Sequence, residues 1–280
     1  MGGGGKIGDP KDMAVGAVLQ CVEAATLGMP FEVWKTRMGR FRNEGTMEAA
    51  VNVYKRGGAG AFWQGLSPKL IESATKGAIL LYAKEAILLG MANANFDPTV
   101  SGIAAGAGGG VAQVSVMGPC TFLVTCVVTG DKNLSIPNKI STTWAEKGIK
   151  GFYPGGMALT FRQASNWASR QGITEFVRNK VAVIRHGDAK AKLSKWEEAG
   201  CGIMGGSLSC WNQPFEVARI QAQAAANAGE PSISMGATMG KIVRENGVGG
   251  LFQGIVPRIG LGIWQTLFMV TGAKMIKDMM

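Results

Sequence analysis

Apolar residues gather into six long stretches separated by shorter polar and glycine-rich segments. They predict helices over residues 13–38, 66–89, 99–128, 157–179, 196–222 and 255–277. Three shorter amphipathic segments, 46–55, 138–146 and 235–244, fall after the first, third and fifth stretches and predict surface helices. No stretch offers 18 uninterrupted apolar residues, the usual mark of a spanning helix. Single charges break the runs: Glu23 and Glu32 in the first, Glu72 and Lys76 in the second, Arg162 in the fourth. Ionisable groups at membrane depth are costly and normally face a bundle interior or a wet cavity. The pattern therefore favours spanning helices around a polar interior, with a soluble helical protein as the competing reading. Pro30 inside the first stretch predicts a kink there, since proline removes one backbone bond and clashes with the preceding turn.

The chain also repeats itself. GMPFEVWKTR at 28–37 returns as NQPFEVARIQ at 212–221, so that Pro30, Glu32 and Lys35 answer to Pro214, Glu216 and Arg219. A third copy, GPCTFLVTC at 118–126, keeps Pro119 but has Thr121 and Val124 at the acid and base positions. The intervals are 89 residues from Pro30 to Pro119 and 95 from Pro119 to Pro214. Each proline is followed by an aromatic-glycine turn: GAFWQG at 60–65, GFYPG at 151–155 and GLFQG at 250–254. Self-similarity at a fixed period signals equivalent structural units. The predicted organisation is a polar tail over 1–12 and repeats over 13–92, 93–185 and 186–280.

This pattern resembles the mitochondrial carrier family, whose mark is Px[DE]xx[KR] three times over, from about residue 14 to residue 277. The resemblance implies an all-α membrane protein with six transmembrane helices in three pseudo-symmetric two-helix repeats. Each repeat has a short amphipathic helix on the matrix side, and the location is the mitochondrial inner membrane, multi-pass. It also implies a matrix gate in which the acid of each repeat pairs with the base of the next. The gate residues are Pro30, Glu32, Lys35, Pro119, Pro214, Glu216 and Arg219. One expected bridge, Lys35–Glu216, remains, while Glu32 faces Val124 and Arg219 faces Thr121; Glu32 pairing with Arg219 or with water is the alternative.

Composition adds weight to this reading. Mean hydropathy is +0.13, charged residues make up 17% and glycine accounts for 42 of 280 residues. Glycine costs a soluble helix ~1 kcal/mol against alanine, whereas in membranes small residues let helices approach closely. Gly102, Gly106 and Gly110, and likewise Gly202 and Gly206, predict packing faces. The net charge of +10 is spread over the loops after the first, third and fifth helices, at Arg40, Arg42, Lys55, Arg56, Lys132, Lys139, Lys147, Lys150, Lys241 and Arg244. Positive loops mark the side from which insertion is resisted, and scattered bases without a nucleic-acid motif disfavour DNA binding. The tail MGGGGKIGDPKD lacks both a transit-peptide and a secretory-signal character, and Lys6 stands where a myristoylation motif wants Ser or Thr.

Catalytic chemistry is thin. The one histidine, His186, sits in a charged link over 185–195 and predicts a solvated loop residue. The five cysteines, Cys21, Cys120, Cys126, Cys201 and Cys210, have neither metal-ligand nor disulfide-framework spacing and predict small buried apolar residues. No phosphate-binding loop qualifies. The expectation is no enzyme, no cofactor and no metal.

Anion binding is what remains. Alignment on Gly65, Gly155 and Gly254 puts Glu72 and Arg162 at one position, seven residues on, with Lys76 four beyond Glu72 on the same face. Arg258 and Gln265 share a face of the last helix, and Gln163 adjoins Arg162. Cations from three helices converging inward fit a polyanion, since arginine matches carboxylates in bidentate fashion. Glu72 is expected to hold Lys76 or to carry a coupling proton; each charge taken singly also fits a structural ion pair. The segments WNQPFEV, IESATKGAILLY, RQASNWASRQG and PRIGLGIWQTLFMV are similar to fungal citrate–oxoglutarate carriers. That resemblance implies exchange of small carboxylate anions by alternating access, among inner-membrane lipids that include cardiolipin. Two other readings are a structural or assembly subunit of an inner-membrane or respiratory complex and, less favoured, mitochondrial DNA maintenance.

Overall fold

The computed structural model describes residues 10–131, 134–188, 191 and 193–279. Residues 1–9 of the polar tail, Lys132, and residues 189, 190 and 192 of the charged link lie outside the described residues. In chain order the helices are α1 Pro10–Glu23, α2 Met29–Arg40, α3 Thr46–Gly57, α4 Leu66–Asn93, α5 Pro98–Ala112 and α6 Val114–Thr129. They continue as α7 Ile136–Lys147, α8 Gly156–His186, α9 Lys195–Leu208, α10 Gln213–Asn227, α11 Met235–Asn246 and α12 Ile255–Met279. The six predicted long helices are present, and α3, α7 and α11 are the three surface helices. Helix α8 runs further than predicted and takes in His186, which is an exposed residue of its last turn, not of a loop.

The odd-numbered long segments are broken and the even-numbered ones are not. In the first, a π-helical turn, Ala24–Gly28, joins α1 to α2, and the backbone leaves the helical region at Thr26 (φ −86°, ψ −114°). Thr26 lies four residues before Pro30, where the proline ring meets a carbonyl and its missing N–H leaves one unbonded. The break is therefore upstream of the residue that causes it. Freed carbonyls find other donors: the Thr26 hydroxyl donates to Glu23 O at 2.8 Å and the Trp63 indole to Ala25 O at 2.7 Å. In the third segment, α5 and α6 meet at 44° around Gln113, while Pro119 stays inside α6. The Tyr153 hydroxyl donates at 2.6 Å to the carbonyl of Ser115, four residues before that proline. A 3₁₀ turn, Ser209–Asn212, separates α9 from α10 just before Pro214.

Each even helix starts at a left-handed glycine. Gly65, Gly155 and Gly254 have φ of +80°, +70° and +78°, a conformation that only glycine adopts freely. A Cβ on them would meet Val124 Cα at 3.2 Å, Arg219 Cα at 3.2 Å and Lys35 O at 3.1 Å. The aromatic-glycine turn of each repeat is thus pressed against the base position of a neighbouring repeat. This is the seam that closes the threefold ring.

The predicted glycine faces are partly corrected. Gly102 meets nothing, but Gly108 and Gly109 approach Ile87 and Leu80 of α4, and Gly110 lies against Trp167 and the Gln163 carbonyl of α8. On α9, a Cβ added to Gly202 would touch Thr266 of α12 and one added to Gly205 would collide with Thr174 of α8, whereas Gly206 has more room, so Gly205 is the closer approach.

Burial is inverted relative to a water-soluble bundle. Val18, Ile71, Leu89 and Ile103 are 57–61% exposed, whereas Glu72, Glu216 and Arg219 are 1% exposed. Apolar outside and charged inside is the arrangement that a hydrocarbon solvent selects. Among the described residues, Met13–Arg40 and the bent pair Val100–Ala112 with Val114–Thr129 are long and apolar enough to cross a membrane on their own composition. The free cysteines fit the expectation: Cys120, Cys126, Cys201 and Cys210 are buried and Cys21 is half-buried.

Candidate functional site

The odd segments bend toward one another at their breaks, and just below the breaks their charges meet. Lys35 Nζ lies 2.8 Å from Glu216 Oε1 and 2.8 Å from Glu32 Oε1. Arg219 grips Glu216 with two parallel bonds, Nη2 to Oε1 at 2.9 Å and Nε to Oε2 at 3.0 Å. Arg162 Nε of α8 stands 3.1 Å from Glu216 Oε2, within ion-pair range but off the angle for a hydrogen bond. Lys69 of α4 bonds Glu72 at 3.1 Å and stands 3.8 Å from Glu32. All these groups are nearly dry, which makes each pair strong and each missing partner costly.

The one bridge expected between repeats, Lys35–Glu216, is present. Glu32 is paired, but with Lys35 of its own helix and with Lys69, not with Arg219 or Val124. Arg219 does not face an empty Thr121 either. Its Nη1 donates to Gln223 Oε1, Gln223 Nε2 donates to Thr121 Oγ1 at 3.0 Å, and the Thr125 hydroxyl donates to the same Gln223 oxygen at 2.8 Å. Val124, 2% exposed, packs in an apolar cluster with Met29, Val33, Val53, Ala61 and Val128.

The predicted substrate residues divide into two groups. Glu72 and Arg162 join the ion-pair network directly. Arg258 Nη1 donates to Gln213 Oε1 at 2.8 Å and Nη2 donates to Asn212 Oδ1, so this arginine straps α12 to the break of the fifth segment. Asn212 in turn donates to Arg162 O at 3.2 Å and Ser165 Oγ at 3.1 Å. The other three sit differently. Gln163 is turned toward the bend of the third segment, donating to Gln113 Oε1 at 3.0 Å and to Met117 Sδ at 3.0 Å. The Gln265 amide faces Glu23 at 3.5 Å. The Lys76 carbonyl accepts from Gln113 at 2.8 Å, while its ammonium has no ion pair within 4.0 Å among the described residues.

Several polar residues of the site were not predicted. Lys69 was legible, since alignment on the three glycines pairs it with Arg258, four residues on in each case. Gln223 follows Arg219 by one helical turn, a spacing that lets the two touch. Gln113 holds Lys76, Gln163 and Trp167 together at the bend, the indole donating to it at 3.0 Å, and carries no local signal in the chain.

Outside this centre, surface residues lock the repeats. Arg42 pairs with Glu245 at 2.6 Å and Arg40 with Glu230 at 2.9 Å, tying the first repeat to the third. The Arg56 guanidinium of α3 donates to the Val127, Val128 and Gly130 carbonyls at the end of α6. Cations at a helix C-terminus meet its negative dipole end, and partial burial, ahead of repulsion from Arg37, moves the Arg56 pKa down from the ordinary arginine value. A cavity of about 780 Å³ opens beside α7, α10 and α11, lined among others by Arg40, Arg42, Lys139, Lys150 and Lys241.

Three equivalent helix pairs, apolar outside, with a dry charge cluster where broken segments converge, define a membrane carrier built from repeats. The chain belongs to the mitochondrial carrier family: the family described as "Mitochondrial carrier protein" matches residues 8–93, 96–183 and 191–280. Among its relatives, the "Citrate/oxoglutarate carrier protein" of Saccharomyces cerevisiae is 37% identical over 95% of this chain and 89% of its own length. The "Mitochondrial S-adenosylmethionine carrier protein" of Danio rerio is 24% identical over 88% of each chain. The "Mitochondrial substrate carrier family protein Z" of Dictyostelium discoideum is 25% identical over 72% of this chain and 68% of its own.

Proposed function

We propose that this protein exchanges small di- and tricarboxylates, of the citrate and 2-oxoglutarate type, across the mitochondrial inner membrane by alternating access. The observation that carries the reading is the charge of the centre. Glu23, Glu32, Glu72 and Glu216 face Lys35, Lys69, Lys76, Arg162, Arg219 and Arg258, an excess of cations in a low-exposure interior. Such an interior attracts a multivalent anion. The full-length likeness to a citrate/oxoglutarate carrier supports the same substrate class.

In this reading the repeats over 13–92, 93–185 and 186–280 rock about the centre. Lys76, Arg162 and Arg258 receive the carboxylates, assisted by Glu72, Gln163 and Gln265. The pairs around Glu216 form the floor on the matrix side, which must open for release. Substrate drives opening by offering its carboxylates to Arg162 and so drawing it from Glu216. A ligand shifts such an equilibrium only through its differential affinity for the two states. Inner-membrane lipids, cardiolipin among them, surround the apolar exterior.

Purified protein in liposomes should exchange external radiolabelled citrate for internal oxoglutarate, and Arg162→Ala should abolish this. Normal exchange by Arg162→Ala overturns the site. Absence of any carboxylate exchange by wild-type protein, with stoichiometric co-purification of a respiratory complex, would instead favour an assembly subunit. A thermal-shift screen of carboxylates identifies the preferred substrate, because ligands that bind the folded state raise its apparent stability.

A further inference from the structure

Four carboxylates lie in the centre, and three of them are ion-paired. Glu32 has Lys35 and Lys69, Glu72 has Lys69, and Glu216 has Lys35, Arg162 and Arg219. Glu23 has none: among the described residues no lysine or arginine nitrogen comes within 4.0 Å of it. It is 3% exposed, its Oε2 stands 3.5 Å from Gln265 Nε2, and its Oε1 is buried without a hydrogen-bond partner. A buried polar atom left unpartnered calls for an explanation.

Its place in the fold is specific. Glu23 is the last residue of α1, where the π-helical turn begins, in the middle of an apolar segment long enough to cross the membrane. The carboxyl folds back along the break into space that a side chain at position 28 would occupy, since a Cβ on Gly28 would stand 2.5 Å from Oε1. The charged groups acting on it are Lys69 and Lys76 of α4 and Glu32 of α2, and α12 contributes the neutral Gln265. Lys76 has no ion pair within 4.0 Å among the described residues either, so Glu23 and an incoming carboxylate compete for the field of one ammonium.

We infer that Glu23 takes up and releases the proton that balances exchange of a trivalent for a divalent carboxylate, a role that rests on the exchange reading above. Swapping a tricarboxylate for a dicarboxylate moves one net charge, and a membrane potential opposes one direction of that movement. Protonation of Glu23 breaks no ion pair, unlike protonation of Glu32, Glu72 or Glu216. An O–H bond forms at the free Oε1 with a proton from water on the side where the tricarboxylate enters. Lys76 is then released to the third carboxylate. On the other side the anion leaves, the O–H bond breaks, and the proton passes to water there. Gln265 remains beside the carboxyl in either charge state, since its amide both donates and accepts.

The test uses liposomes holding oxoglutarate, a trapped pH-sensitive dye and a potential set by potassium and valinomycin. Rates are taken relative to oxoglutarate homo-exchange in the same vesicles. Wild-type protein should move one proton inward per citrate, at a rate indifferent to the sign of the potential. In Glu23→Gln the proton flux should fall to background and the relative citrate rate should change several-fold with the sign of the potential. Proton flux that persists in Glu23→Gln, or wild-type exchange that moves charge without protons, overturns the assignment. Wild-type protein without oxoglutarate homo-exchange overturns the transport reading itself, and this assignment with it. Should Glu23→Gln fail to fold, a carbodiimide that couples to protonated carboxyls decides on the wild-type chain. Labelling of Glu23 that citrate blocks supports the role, and no labelling there overturns it.

Discussion

In the third repeat the positions two and five residues after the proline hold Glu216 and Arg219; Arg219 grips Glu216 at 2.9 and 3.0 Å, and Glu216 also holds Lys35 at 2.8 Å. In the second repeat the same two positions hold Thr121 and Val124, and neither is left idle. Thr121 receives Gln223, which carries Arg219's bond across to α6, while Val124 fills an apolar cluster between α2 and the start of α4. A charged site and a neutral one thus occupy equivalent places in one ring. The comparison teaches that a lost ion pair need not leave a hole. Replacing buried charges with well-packed neutral groups is often neutral for stability, whereas removing one partner of a pair is not.

That difference predicts the largest effect at Glu216, which serves Lys35, Arg162 and Arg219 together. Glu216→Gln leaves buried cations short of a partner and should cost ~3–5 kcal/mol, read as a large fall in melting temperature and loss of exchange. Glu32→Gln should do less, because Lys35 retains Glu216 and Lys69 retains Glu72. Equal damage from both would break the picture of Glu216 as the hub.

Val124→Lys tests the neutral side. The motif alone suggests that a lysine here would give Glu32 its missing partner and strengthen the ring. The structure reverses that expectation, because Glu32 is already paired and Val124 lies in a tight apolar cluster beside Gly65. Overpacking alone should cost about 1–3 kcal/mol, so the melting temperature should drop. A rise would mean that Glu32 lacks a full partner.

Gln223→Leu removes the neutral relay while preserving bulk. Thr121 and Thr125 then lose a side-chain partner and Arg219 one acceptor, at a cost of about 1–3 kcal/mol for buried groups left unmatched. An unchanged denaturation midpoint would show that the relay contributes nothing.

Tyr153→Phe should have the smallest effect. It removes one neutral hydrogen bond, to the Ser115 carbonyl four residues before Pro119, and about 0.5–1.5 kcal/mol is expected. Trp63 makes the equivalent bond in the first repeat, but Phe252 of the third has no donor to offer. The break of the fifth segment, in that third repeat, is strapped by Arg258 instead.

Much of this was legible in the chain. Periodic apolarity gave the six long helices, because an apolar surface repeated every turn has to be covered by something apolar. The recurrence of Pro30, Pro119 and Pro214 gave the threefold plan, and the three aromatic-glycine turns gave the starts of the even helices, since only glycine adopts their left-handed conformation. The inward direction of Glu72 and Arg162 followed from the cost of charge at membrane depth. Pairing was a different matter. Which acid meets which base depends on side-chain reach across a ring of helices, so Glu32 met Lys35 and Lys69, and Gln223 stood in for an acid absent from its repeat. The first break fell where the proline ring meets the preceding turn, at Thr26 rather than at Pro30, whereas the third segment bends at Gln113, six residues before Pro119. Glu23 reads in the sequence as one more charge in an apolar run. Only the packing of α1 against α4 and α12 left it, among the described residues, the carboxylate of the centre with no ion pair within 4.0 Å.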